Sequence, residues 1–146
     1  MPMAERVARV TWTGDLTSGS GTLALESSGA GPFPVSWASR AEAPAGRTSP
    51  EELIAAAHAT CFSMAFSGGL AGAGHPPQKL DVTATCVLDR VDGKPRIVAV
   101  RLRVRGRVPG IDAAAFTAAA EAARDGCPVS NALKGNVEIT VEASLD

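Results

Sequence analysis

The chain has 146 residues, 20% of them charged, and a formal net charge of −1. That length suits one domain, residues 1–146, with a sizeable core. So even a balance of charge gives no electrostatic footprint for nucleic acid or an anionic membrane surface. Aromatics make up 4% and Tyr is absent, which leaves little material for platforms that stack bases or sugars. Three cysteines do not make a secreted disulfide scaffold, and the opening MPMAERVARV has no apolar signal core, so a cytoplasmic setting is expected.

Residues 5–13 (ERVARVTWT) alternate as a strand anchored by Val7, Val10 and Trp12. Gly14 and Asp15 signal a turn, and residues 16–21 a polar loop. Residues 22–26 (TLALE) read as a second strand. After a Gly/Ser turn at 27–32, residues 33–39 (FPVSWAS) read as a short third strand, at an edge because of Pro34. Residues 40–47 then form a Pro/Gly-containing loop.

The stretch from Thr48 to Gly74, TSPEELIAAAHATCFSMAFSGGLAGAG, organises the chain. Ser49 suits the N-cap, Pro50 the first helical position, and Glu52 the far corner of a capping box. No formal charge follows from Leu53 past Gly74. Leu53, Ile54, Phe62, Met64, Phe66 and Leu70 keep to no single stripe, and a helix apolar all round is expected to be buried on every side. The run is long enough to span a bilayer. Its many Ala and Gly residues, its His58 and its isolation favour the central helix of a soluble protein instead.

GAGHPPQ at 72–78 breaks the structure. Residues 80–89 and 97–108 alternate on either side of VDGK, whose Asp-Gly turn marks a long hairpin. The second strand sets Arg101, Arg103, Arg105 and Arg107 on one face, expected to be solvated and paired with acidic neighbours. Asp112 caps a helix over 113–124 with Phe116 as its apolar anchor, and Gly126 is expected at C′. Pro128 opens a short helix over 128–133, and residues 136–143 (NVEITVEA) close the chain as a strand. Three strands, a central helix, two strands, two helices and a strand make a single α+β domain.

A thiol attacks as thiolate, so its pKa must fall from about 8.5 with help from a cation or a helix N-terminus. Cys61 stands in mid-helix, where apolar surroundings alone raise the pKa. It is either inert packing or a nucleophile supplied with charge by Arg40 or Arg47, with His58 one turn away. Cys127 sits at the start of a helix, where exposed N–H groups lower a thiol pKa, and suits a second redox role. Cys86, flanked by apolar residues two places either way, reads as packing. His58 and Cys61 lack the close ligand pairs of a zinc site, and no Walker, dinucleotide-binding or GxSxG signature occurs.

TSPEELIAAAHATCFSMAFS, VPGID and DGCPVSNALKGNVEIT together resemble the OsmC/Ohr family of thiol peroxidases, the OsmC branch in particular. The resemblance spans nearly the whole chain, including TWTGD and SGTLALES. It implies an OsmC-like fold, a mostly antiparallel sheet wrapped around a long buried central helix, in an intertwined homodimer. It further implies reduction of organic hydroperoxides with no metal, haem or flavin, and lipoylated proteins as the dithiol reductant. By motif, Cys61 in HATCFS corresponds to the peroxidatic thiol and Cys127 in GCPVS to the resolving one. Glu51 in SPEEL matches the family's acidic residue, and Arg40 in SWASRAE its active-site arginine, with Arg47 the other candidate. Ten residues of straight helix separate Glu51 from Cys61 by about 15 Å, so a compact Cys–Arg–Glu cluster calls for two antiparallel copies of the helix. A non-catalytic module holding an apolar ligand, and a redox sensor or thiol carrier, are the competing readings.

Overall fold

A computed structural model describes all residues from Met1 to Asp146. The chain forms two compact units, Met1–Leu53 and Ile54–Asp146. In the first, β1 (Arg9–Thr13), β2 (Ser20–Leu25) and β3 (Ala30–Val35) make an antiparallel meander in the order β1-β2-β3. The β1–β2 connection is closed by the Asp15 carboxylate, which accepts from the Ser18 backbone N–H at 2.7 Å. Pro34 lies on the edge strand, as its missing N–H requires.

The third strand ends sooner than its alternation suggests. Ser36 caps a short helix, α1 (Trp37–Ala41), through a reciprocal box in which each of Ser36 and Ser39 accepts the other's backbone N–H at 3.1 Å. Two serines three apart hold the backbone more strongly than Trp37 favours a strand. Arg40 therefore stands on a helix rather than in a loop.

The long helix α2 (Pro50–Gly72) begins where its cap signals place it. The Glu52 N–H donates to Ser49 Oγ at 3.2 Å. The Glu52 carboxylate accepts from the Thr48 hydroxyl at 2.6 Å.

In the second unit, β4 (Lys79–Val91) and β5 (Lys94–Arg107) form the long hairpin, turned at Asp92 and Gly93, both with positive φ. That is the conformation a tight two-residue turn demands and Asp-Gly supplies. β6 (Glu138–Leu145) adds to β5 in parallel, giving the order β4-β5-β6. The parallel join is reached through α3 (Ala113–Gly126) and α4 (Pro128–Leu133), as a parallel crossover requires. Asp112 caps α3 by accepting the Ala115 N–H at 2.8 Å. Gly126 stays inside the helix, and Cys127 serves at once as C-cap of α3 and N-cap of α4. Gly126 was expected to end α3 in a left-handed conformation; Pro128 makes that unnecessary by forcing Cys127 into an extended one.

The Arg row on β5 is solvated as expected. Arg103 pairs with Glu142 at 3.4 Å and Arg105 with Asp146 at 2.8 Å. The opposite face of β5, with Val100, Leu102 and Val104, packs into a core with Phe116, Phe62, Phe66 and Leu70. The Phe66 ring lies 5.5 Å from Phe62 and 5.0 Å from Phe116 between centroids.

Burial of α2 is narrower than its composition suggests. His58, Phe62, Phe66 and Leu70, four apart, form the buried stripe, while Met64 is 70% exposed. One three-stranded sheet covers one side of a helix, and Ala57, Thr60, Met64, Gly68 and Ala71 remain uncovered.

Gly106 shows how tightly the sheet meets α3. A Cβ there would stand 2.6 Å from the Phe116 ring. Gly106→Ala is expected to cost about 1–3 kcal/mol, seen as a lower urea midpoint with an unchanged m-value. An unshifted midpoint would show that the ring moves aside freely.

Candidate active site

Helix α2 sets Cys61 three residues after His58, and the α3–α4 junction brings Cys127 to it. Cys127 is fully buried in the core and Cys61 is half-buried against it. The two thiols are hydrogen-bonded, neither is in a disulfide, and the Val129 backbone N–H of α4 donates to the Cys61 sulfur. Burial pushes the Cys61 thiol above its ordinary value, and the hydrogen bond to Cys127 adds to that, while the Val129 N–H works the other way. The first turn of α4 thus serves Cys61. From sequence its donors were expected to serve Cys127, whose own side chain makes no capping bond.

A second link runs beside the first. His58, with no exposure, contacts Ser130 Oγ through Nε2 at 2.7 Å, and its Nδ1 is buried without a partner. Burial holds the imidazole below its ordinary value of 6.5, so it is neutral at pH 7. Ser130 and Val129 were not singled out from sequence. Their signal was in the motif: Ser130 follows Cys127 by three residues, as His58 precedes Cys61 by three.

In the first unit, Arg40 takes Glu51 in a forked ion pair. Its Nη2 lies 2.9 Å from Oε1, and its Nε lies 3.0 and 3.3 Å from the two carboxylate oxygens. Of the two candidate arginines it is Arg40 that pairs with Glu51. Glu51 is buried, Arg40 is about one-third exposed along its side chain, and the guanidinium lies 5.9 Å from the Trp37 ring. A planar fork held by a carboxylate on one edge keeps its other edge free for an anion. Arg40 also stands in the wall of an apolar cleft of about 240 Å³ lined by Trp12, Leu16, Leu23, Trp37 and Leu53. The alternation of FPVSWAS points to a strand, which hides the part Trp37 plays in this cleft.

The second unit thus brings a half-buried thiol on a long helix to a second thiol at a helix junction, and the first unit holds an Arg–Glu ion pair beside an apolar cleft. The OsmC-like protein family model matches residues 43–142, and the chain belongs to that family. It is 45% identical over 134 residues to Peroxiredoxin OsmC of Escherichia coli, covering 92% of each. It is 34% identical over 99 residues to an organic hydroperoxide resistance protein of Xanthomonas axonopodis, covering 64% of this chain and 65% of that one. Its fold matches the crystal structure of OhrB of Bacillus subtilis with a TM-score of 0.75 and 27% identity, over 94% and 97% of the two chains. An organic hydroperoxide resistance protein from Legionella pneumophila shares the fold at a TM-score of 0.77 and 22% identity, over 99% of each. The α+β OsmC/Ohr fold expected from the motifs is the fold of this chain.

The depressed His58 has a consequence for stability. Unfolded, a histidine titrates near 6.5; folded, His58 titrates lower. Between the two values the unfolded chain binds more protons, so this contribution is fully present above pH 6.5 and is lost as pH falls below it. Urea unfolding at a series of pH values should show stability declining on acidification, with a shallower decline in His58→Gln. Identical slopes would contradict the neutral, buried state of His58.

Proposed function

We propose that this protein is a thiol-dependent peroxidase that reduces organic hydroperoxides to alcohols. The observation that carries the reading is the direct contact of Cys61 with Cys127, with a backbone N–H on the Cys61 sulfur. Two thiols that were incidental to a ligand-binding module would have no reason to meet, and a redox sensor that joined them would not need catalytic turnover. The names of the relatives, a peroxiredoxin and organic hydroperoxide resistance proteins, support the same chemistry.

In this reading the Cys61 thiolate attacks the distal peroxide oxygen, the O–O bond breaks, and the alkoxide leaves as alcohol on taking a proton. Cys61 is left as a sulfenic acid. The Cys127 thiol then displaces hydroxide from that sulfur, and the disulfide and water result. An external dithiol, for which a lipoylated protein is the candidate, reopens the disulfide by exchange. Such recycling belongs in a reducing compartment, consistent with cytoplasmic placement.

Arg40 supplies the positive charge that the buried Cys61 needs, and Glu51 aims it. Because Glu51 and Cys61 lie far apart along one helix, the Arg40–Glu51 pair of one chain serves Cys61 of a second chain in a homodimer. The uncovered stripe of Ala57, Thr60, Met64, Gly68 and Ala71, uncharged and mostly small, supports close approach of two such helices. A peroxide whose O–O group meets the Arg40 guanidinium would lodge its organic part in the apolar cleft beside it. Alkyl and aryl hydroperoxides are therefore favoured over hydrogen peroxide.

Cumene hydroperoxide consumption with a dithiol tests the reading. Cys61→Ser is expected to abolish turnover, and Cys127→Ser to start normally and then die as Cys61 is overoxidised to the sulfinic acid. Full activity in Cys61→Ser would refute the peroxidase.

A further inference from the structure

The buried stripe of α2 is made of Phe62, Phe66, Leu70 and one imidazole, His58, all at or near zero exposure. An apolar residue would suit that position, and histidine leaves Nδ1 buried with no partner. A buried N–H without an acceptor is costlier than an unmet acceptor. The less costly tautomer therefore leaves Nδ1 as the bare acceptor and lets Nε2–H donate to Ser130 Oγ. What the histidine gives in return is direction: one hydrogen bond, 2.7 Å long, between α2 and α4 across 72 positions of sequence.

That bond runs alongside the thiol contact. His58 and Cys61 are one turn apart on α2, and Cys127 and Ser130 are one turn apart at α4, so the two contacts form adjacent rungs between the helices. The helix α4 is short, and besides Cys127 at its cap only Val129 and Leu133, both partly buried, anchor it to the core by apolar packing. A directional polar contact fixes its rotation and height against α2 better than an apolar one, because a small slide of α4 breaks it.

We infer that His58 and Ser130 are positioning residues for the resolving step, holding α4 in the register that keeps the Cys127 thiol on Cys61. The inference rests on the peroxidase reading above. In the step itself the Cys127 sulfur bonds to the Cys61 sulfur, the S–O bond of the sulfenic acid breaks, and hydroxide leaves with the Cys127 proton as water. Closure from hydrogen-bond contact to a bond of about 2.05 Å then needs no large excursion of α4. Without the His58–Ser130 rung the sulfenic acid waits longer for its partner, and a second peroxide converts it to the sulfinic acid.

The test is a partition. Reduced wild type, Ser130→Ala, His58→Phe and His58→Gln are pulsed with cumene hydroperoxide, quenched with acid, and the intact masses of disulfide and sulfinic forms are compared. Ser130→Ala and His58→Phe should shift the ratio severalfold toward sulfinic acid, and His58→Gln, which keeps an N–H donor, should recover much of the loss. A merely structural role would lower the melting temperature of each variant and leave the ratio unmoved. Should His58→Phe or Ser130→Ala fail to fold, Ser130→Thr against Ser130→Val, equal in shape and differing in the hydroxyl, decides the matter. An unchanged ratio with normal Cys61 oxidation overturns the role of His58 and Ser130 alone. Absence of Cys61 oxidation in the wild type overturns the peroxidase reading instead.

Discussion

A half-buried thiol on a helix that carries no charge beyond its first turn is the constraint from which the rest of this structure follows. Apolar cover raises the Cys61 thiol above its ordinary value. Two features of the chain enter the proposed chemistry. Locally, the first turn of α4 directs the Val129 N–H at the sulfur. At the entrance to α2, Glu51 holds Arg40 in a fork with its guanidinium against an apolar cleft. An N–H is a weak counter to burial, whereas a full positive charge a few ångströms away lowers a pKa by one to three units. The peroxidase proposal therefore assigns the larger share of thiolate stabilisation to the arginine rather than to the helix turn.

Much of this was legible along the chain because its cues are local. Ser49, Pro50 and Glu52 mark the start of α2, Asp92-Gly93 the hairpin turn, Asp112 the cap of α3 and Pro128 the start of α4. Alternation in β5 separated the solvated arginines from Val100, Leu102 and Val104. Local cues misled where two of them competed. FPVSWAS alternates like a strand, yet the Ser36–Ser39 box turns its second half into α1 and so carries Arg40. At Gly126, a residue type favoured after helices gave way to the backbone demand of the following Pro128.

What sequence could not place were contacts between distant segments. The motif resemblance marked Cys61, Cys127, Arg40 and Glu51. It gave no sign that the α4 donor serves Cys61, or that His58 finds Ser130. Nor did composition distinguish a helix buried on every side from one buried along a single stripe. That distinction depends on how much cover the rest of the chain supplies, and the three-stranded sheet with α3 and α4 covers one stripe.

The central claim is that Arg40 and Glu51 of one chain complete the site around Cys61 of another. Subunit mixing tests it most directly. Cys61→Ser and Arg40→Met are each assayed alone with cumene hydroperoxide and dithiol, then mixed under conditions that let subunits exchange. In the mixed dimer the intact Cys61 of one chain meets the intact Arg40 of the other, so the account predicts activity well above either variant alone. A mixture no more active than its components, with mixed dimers demonstrated by mass, would contradict it.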